Sequence, residues 1–216
     1  MAEQHTASPD DTGDAAIHVV AYFEVIPPSA PEAAVLLRQY SQASRTAAGL
    51  VDHEVLQQCA RPDHFAIVET WQDQTSFEAH GSAAHTRAMH ERLETLRCSP
   101  YDERLHHGFV LAAESASRPT GAIYAVTHAD AIPPAKDDAM LCLKQLAEVS
   151  RHDEGNVRFE VLQQRSRLNH FTIVEIWRDQ KALEVHVMAA HTRQFREQFQ
   201  PMSGALYDER LYMALD

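Results

Sequence analysis

The feature that most restricts the fold of this chain is an internal repeat. Val55-Leu56-Gln57-Gln58 recurs 106 positions later as Val161-Leu162-Gln163-Gln164. The same offset aligns the rest of the two segments without a gap from Ile17 and Ile123 onward. A repeat of this length predicts two domains that share one fold.

The limits of the repeat give a domain plan. We predict that residues 1–16 form a disordered acidic tail, that residues 17–111 form the first repeat and that residues 123–216 form the second. Residues 112–122 read AAESASRPTGA. Small residues with Pro and Gly are typical of a linker.

Each repeat shows the same order of periodic segments. In the first repeat, strand, helix, hairpin, helix and strand patterns follow one another at residues 17–25, 31–48, 51–71, 73–96 and 101–111. This βαββαβ order is ferredoxin-like. A four-stranded sheet with both helices on one face leaves its other face apolar. We therefore predict an α+β fold in which the two antiparallel sheets pack face to face as an α/β barrel within the chain.

Composition and charge exclude several classes of function. The 216 residues carry 19 Lys and Arg against 31 Asp and Glu, a formal net charge of −12, which argues against binding to nucleic acid or an anionic membrane. No apolar segment reaches the roughly 20 residues of a spanning helix, and the acidic N-terminal sequence does not resemble a signal peptide. Three widely spaced cysteines predict free thiols, and therefore a cytoplasmic protein.

A longer motif follows the third strand of each repeat. Residues 65–74 read FAIVETWQDQ and residues 171–180 read FTIVEIWRDQ, and each is followed by Glu-x-His and then by AAHTR. This arrangement resembles the antibiotic biosynthesis monooxygenase (ABM) domain, twice, over nearly the whole chain. The resemblance implies a dimeric α/β barrel. It also implies cofactor-independent oxygenation of quinols or polycyclic phenols in some members, and haem degradation in a related branch.

The glutamates of this motif are candidate general bases. Period-two alternation places Glu69, and likewise Glu175, on a strand face with apolar and aromatic neighbours. A carboxyl group in dry surroundings has a raised pKa and could take a phenolic proton. The alternative is an ion pair with Arg104 or Arg210 on the last strand.

Two histidine pairs are the other catalytic candidates, His80 with His85 and His186 with His191. A neutral imidazole can accept a phenolic proton near pH 7. Residues five apart point about 140° away from each other on a continuous helix, so a pair converges only if a break such as Gly81-Ser82 redirects the chain. Alternatively, one histidine bonds the backbone at the junction and the other is solvated.

Aromatic side chains and positions that differ between the copies are candidates for binding substrate. Trp71 and Trp177 could stack on a planar ligand or simply fill the core. The differing positions suggest two pockets that are not equivalent, of which one binds substrate. The other substrate-binding candidates are Tyr22, Phe23, His53 and Phe159.

We predict no bound metal or other cofactor, because histidines five residues apart are poor metal ligands. Haem is the one cofactor that the resemblance leaves open, because the haem-ligand histidine of the haem-degrading branch aligns with His90 in the first repeat. The second repeat has Arg196 there. Haem binding or degradation is therefore restricted to the first repeat.

The leading hypothesis is a cofactor-independent monooxygenase. It would take a small aromatic, quinol or polycyclic phenol substrate and O₂ in an apolar barrel pocket. The alternatives are a small-molecule-binding or stress-response barrel without catalysis, and an interaction module without a pocket. The repeats are expected to form a pseudo-dimer within the chain, and further homodimerisation is left open.

Overall fold

The computed structural model describes residues 16–112 and 118–215. Residues 1–15 of the predicted tail and residues 113–117 of the predicted linker lie outside the described residues.

The first repeat has the predicted βαββαβ order, with its second helical region divided in two. Pro27 and Pro28 follow the first strand, and Gly49, at φ 76°, ends the loop after the first helix. Its strands and helices are β1 (Ile17–Glu24), α1 (Ala30–Ser44), β2 (Leu50–Gln58), β3 (Arg61–Trp71), α2 (Gln74–Gly81), α3 (Ala84–Glu94) and β4 (Asp102–Val110).

The second repeat has the same order of elements. Its divided helix breaks at Ala189, whose extended backbone (φ −63°, ψ 151°) ends one helix and begins the next. Its strands and helices are β5 (Ile123–Asp130), α4 (Lys136–Ser150), β6 (Asn156–Gln164), β7 (His170–Trp177), α5 (Gln180–Met188), α6 (Ala190–Phe199) and β8 (Asp208–Ala214).

The eight strands form one closed antiparallel barrel, in the order β1-β3-β2-β8-β5-β7-β6-β4. Two seams join the repeats. Leu56 of β2 pairs with Ala214 of β8, and His106 of β4 pairs with Gln164 of β6. The intrachain barrel predicted from the sequence is therefore confirmed, and its edge strands are paired rather than exposed.

The two faces of each sheet have different partners. Val20 and Val68 face the barrel interior, where they form one core with residues of the second repeat such as Val174. Alternate residues, such as Phe65 and Ile67, pack against the helices outside the barrel. Both faces of each sheet are thus buried. The outer face is covered by the helices of its own repeat, and the inner face packs against residues of the other repeat.

A network of charged side chains crosses between the repeats near the starts of β2 and β6. Asp52 forms an ion pair with Arg158, the residue at the equivalent position of the second repeat. Arg118 also bonds Asp52, at 2.6 Å, and Glu54, at 2.5 Å. Opposite charges therefore meet where the two copies approach each other.

Within the described residues, helices are too short or too polar to cross a membrane.

Candidate functional site

The motif residues of the first repeat gather outside the barrel, between its sheet and its helices. Glu69 and Trp71 alternate with the interior residues Val68 and Thr70, so their side chains point toward the helices. A cavity of about 430 Å³ opens there. Its walls include Tyr40, Glu69, Phe77, His80, His90 and Tyr101. These residues therefore meet on the helix side of the sheet and not in the barrel interior.

Glu69 is a buried carboxylate with three donors. The Tyr40 hydroxyl donates to Oε1 at 3.1 Å, His53 Nδ1 lies 3.1 Å from the same oxygen, and Trp71 Nε1 donates to Oε2 at 2.9 Å. Burial by itself raises the pKa of Glu69. The hydrogen bond and charge of His53, with the Trp71 bond, outweigh burial and hold this pKa below its ordinary value. This is opposite to the raised pKa expected from the sequence.

His80 is anchored through only one of its ring nitrogens. Its Nε2 lies 2.9 Å from the Tyr40 hydroxyl oxygen. Because Tyr40 donates its proton to Glu69, its oxygen accepts the Nε2–H of His80, and Nδ1 is then the unprotonated nitrogen. Nδ1 is buried without a hydrogen-bond partner among the described residues. His80 therefore carries a buried nitrogen without a partner, on a ring that lines the cavity.

The ionisation of His80 suits a proton acceptor. Burial lowers the pKa of His80, and this effect exceeds the opposing attraction of Glu69, with His85 lowering the pKa further. The imidazole is therefore neutral near pH 7 and able to accept a proton.

The helix break brings the two histidines of each pair together. Asp73 caps α2 by accepting from the Ser76 amide at 2.7 Å, and the helix ends at Gly81. The rings of His80 and His85 consequently lie 5.0 Å apart, centroid to centroid. The break indicated by Gly81-Ser82 therefore redirects the chain as the argument from spacing required.

The carboxyl group of the second repeat has different neighbours. Trp177 Nε1 donates to Glu175 Oε2 at 2.8 Å, as in the first repeat. The positions of Tyr40 and His53 are taken by Leu146 and Phe159, both buried and apolar. Burial accordingly raises the pKa of Glu175 to about 8, against the lowering effect of the Trp177 bond.

The histidines of the second repeat share one carboxylate. His186 Nδ1 lies 2.7 Å and His191 Nε2 lies 3.0 Å from Oδ2 of Asp153. The His186 ring stacks on Trp177 with its centroid 4.6 Å away. Neither histidine pair follows the alternative in which one ring bonds the backbone and the other is solvated.

Both tryptophans are fully buried. The Trp71 ring contacts the His80 ring at 4.6 Å and its indole N–H is used by Glu69. Each tryptophan therefore supports the histidine and glutamate beside it, and neither has a face open for stacking on a ligand.

The remaining candidates fall in different places. Tyr22 faces the barrel interior, with its ring 5.1 Å from that of His128. Phe23 faces the helices and stacks on Tyr101, 5.5 Å away. His90 lies on the cavity wall, 4.8 Å from the Tyr101 ring. His53 thus belongs to the first site, through its contact with Glu69. Phe23 packs behind Tyr101, which lines the cavity, and Tyr22 lies in the barrel interior.

The alternative ion pairs with the last strand are not formed by these glutamates. Arg104 bonds Asp102 at 3.0 Å and lies over the Tyr22 ring. Arg210 bonds Asp208 at 2.7 Å. The arginines face the barrel interior and the glutamates face the helices, so the sheet separates them.

Two residues that bond the motif side chains escaped the sequence analysis. Tyr40 lies at helical spacing from Ala34 and Leu37, which predicts an ordinary core position. Asp153 aligns with Ala47 of the first repeat and has no motif around it. The available signal was the difference between copies, since Tyr40 aligns with Leu146.

The fold and the paired sites define a two-copy α/β-barrel protein. The model of the antibiotic biosynthesis monooxygenase family matches residues 16–92 and 122–198. The chain therefore belongs to that family and carries its domain twice. Comparison with curated protein sequences yields no match.

Solved structures share the architecture over almost the whole chain. A candidate monooxygenase from Fusobacterium nucleatum is 15% identical with a TM-score of 0.86, covering 94% of each chain. A candidate monooxygenase from Lactobacillus acidophilus is 11% identical with a TM-score of 0.78, covering 94% of this chain and 95% of its own. An anthrone oxidase-like protein is 13% identical with a TM-score of 0.69, covering 93% and 92%. These likenesses establish the shared fold.

Proposed function

We propose that the first repeat binds a small phenol or quinol in its helix-side cavity and oxygenates it with O₂, without a metal or flavin. The observation that carries this proposal is the free Nδ1 of His80. A buried acceptor without a partner is costly to maintain unless a ligand hydroxyl meets it.

His80 would act as the general base. A phenolic proton moves to Nδ1, and the imidazolium that forms is stabilised through Tyr40 by the ionised Glu69. The lowered pKa of Glu69 keeps that carboxylate charged when the proton arrives. Glu69 therefore supports the base and is not itself the base.

The chemistry needs no external reductant. The phenolate gives one electron to O₂, and the resulting radical and superoxide combine at a ring carbon to form a peroxide. His80 returns its proton to the peroxide. The C–H bond at that ring carbon then breaks together with the O–O bond, so one oxygen stays on the ring as a carbonyl and the other leaves as hydroxide, which takes up the released proton to form water. A phenol plus O₂ thus gives a quinone plus water, with both hydrogens of the water supplied by the substrate.

The cavity suits an aromatic substrate. Its volume of about 430 Å³ lies within the range of small-molecule sites. Phe77 and Tyr101 provide aromatic walls, and burial raises the pKa of Tyr101 well above its usual value, so its ring stays neutral. The anthrone oxidase-like neighbour supports an aromatic substrate as well, and the family name supports oxygenation.

The test is O₂ uptake by metal-stripped protein with a panel of quinols and polycyclic phenols. We expect turnover to survive chelation and to fall about 100-fold or more in His80→Gln, because a general base contributes about 10² to 10⁴ in rate. His152→Gln is the control, since His152 is exposed and bonds only the backbone of Glu148. Circular dichroism checks that each variant is folded.

Three outcomes would overturn the proposal. Turnover retained in His80→Gln but lost in His186→Gln would place the activity in the second repeat. Stoichiometric binding without O₂ uptake would indicate a binding protein. A haem Soret band lost in His90→Ala would indicate a haem site.

We also propose that the protein works in the cytoplasm. Cys59, Cys98 and Cys142 are free thiols, which suits a reducing compartment.

A further inference from the structure

We propose that the second repeat holds one divalent transition-metal ion between Asp153, His186 and His191. This site is separate from the proposed oxygenation site; His186 and His191 belong to the repeated motif, whereas no motif in the sequence indicates Asp153. Its donor set is one carboxylate and two imidazoles.

The three donor atoms are already gathered around one point. His186 Nδ1 and His191 Nε2 lie 2.7 and 3.0 Å from Asp153 Oδ2, and all three lie within 4.8 Å of one another. With bonds of about 2.0–2.2 Å, tetrahedral ligands sit about 3.3 Å apart. Asp153 Oδ2 would need to move a few tenths of an ångström away from each nitrogen, and the two nitrogens would settle about 3.3 Å apart, from a present separation of at most 4.8 Å.

Each donor comes from a different element, which fixes the shape of the site. Asp153 lies in the loop after α4, where Gly155 at φ 86° packs against Ala182 at the start of α5. His186 is in the last turn of α5 and His191 begins α6 beyond the break at Ala189. The break turns a poor ligand spacing of five residues into two rings on one side of an ion.

The surroundings of His186 match those of a metal ligand. Its Nδ1 faces Asp153, and its Nε2 faces the Glu175 carboxylate at 3.9 Å. A carboxylate behind an imidazole orients the ring and strengthens it as a ligand. Stacking on Trp177 holds the ring plane.

The site is open on one side. His186 is almost fully buried, whereas the side chains of Asp153 and His191 are about one fifth exposed, 22% and 23%. An ion could enter from solvent, and its remaining positions would be filled by water or a small ligand. Two imidazoles and one carboxylate with open positions suit ions such as Zn²⁺, Co²⁺ or Fe²⁺.

The first repeat lacks this arrangement and serves as an internal control. Ala47 occupies the position of Asp153, and among the described residues no carboxylate bonds both His80 and His85. His80 Nε2 is engaged by Tyr40, and His85 Nε2 lies 3.5 Å from Ser44. We therefore expect one ion per chain, bound by the second repeat.

Cobalt provides the test. Metal-stripped full-length protein is titrated with Co²⁺, which reports its coordination by visible d–d absorption, and then with Zn²⁺ in competition. We expect one equivalent to bind. Affinity should fall more than about 100-fold in Asp153→Ala and in His191→Ala, since even outer-sphere partners are worth about 10–100-fold.

Matched variants make the result decisive. Asp153→Ala gives the second repeat the residue that the first repeat has, so the variant should fold, as thermal unfolding can check. His85→Ala removes the counterpart of His191 and should leave Co²⁺ affinity unchanged. Absence of cobalt absorption, or equal binding by the Asp153→Ala protein, would show that these contacts are hydrogen bonds only.

Discussion

The two repeats place the same glutamate, tryptophan and histidine pair in different surroundings. In the first, His53 and Tyr40 stand beside Glu69; in the second, Phe159 and Leu146 occupy their positions. The pKa is held low for Glu69 and rises to about 8 for Glu175. Identical motif residues therefore have different chemistry because of their neighbours, which the motif itself does not specify.

The histidines differ in the same way. His80 is held at Nε2 and leaves Nδ1 free, whereas His186 directs Nδ1 at Asp153. The His80 ring thus has an unpartnered nitrogen, whereas the same nitrogen of His186 is hydrogen-bonded to the Asp153 carboxylate. The same scaffold thus carries two different side-chain clusters, and the predictions below test how far their properties have separated.

The largest effect is expected for Phe159→Ala. Phe159 is fully buried in the outer core of the second repeat, and removing such a ring costs about 3–5 kcal/mol in free energy of unfolding. Urea unfolding at pH 7 measures the loss. A smaller cost than that of the counterpart His53→Ala would contradict the view that the second site is mainly apolar core.

His53→Ala should cost less, about 1–3 kcal/mol at pH 7, because a buried carboxylate loses one of its hydrogen bonds. The low folded pKa of Glu69 adds stability above the unfolded pKa, and this is lost as the pH falls through the folded value. Without His53, burial prevails and the pKa rises. The difference from wild type should therefore shrink below about pH 4.3, the ordinary glutamate pKa. Urea unfolding of both proteins across this pH range is the test. A difference in free energy of unfolding that grows below about pH 4.3 would refute the prediction.

The smallest effect is expected for His85→Ala, in the acid limb of kcat/KM for the proposed oxygenation. Burial, His85, His53 and His90 lower the pKa of His80, while Glu69 raises it. Activity should therefore persist below pH 6.5, the ordinary histidine value, and fall in stronger acid as His80 is protonated. Removing His85 should move this limb to higher pH. A pH–rate profile measures the shift, and a move in the opposite direction would exclude His80 as the titrating base.

The barrel could be predicted from the sequence because its evidence is repeated and periodic. Strand alternation and the Pro27-Pro28 turn act locally and recur in the second copy. The Gly81-Ser82 signal does not recur, since Val187-Met188 takes its place, although the helix there is also divided, at Ala189. The unpaired sheet face then required a partner, which only the other repeat could supply within the chain.

The sites could be predicted only in part. Alternation placed Glu69 and Trp71 on one face, but it did not distinguish the helix side from the barrel interior. Tyr40 and Asp153 reach their sites through tertiary packing, from a helix and a loop far along the chain. The direction of the Glu69 pKa depended on His53, whose contact is set by strand register.

The contact between Asp52 and Arg158 limits how copies of this domain can associate. In a symmetric pair of identical domains, a residue near the axis meets itself. Two first repeats would bring aspartate against aspartate, and two second repeats arginine against arginine, at a cost in repulsion. The charges at this position therefore favour pairing of a first repeat with a second repeat over pairing of two identical repeats. If two chains exchanged repeats by domain swapping, each barrel would still have to contain one first repeat and one second repeat.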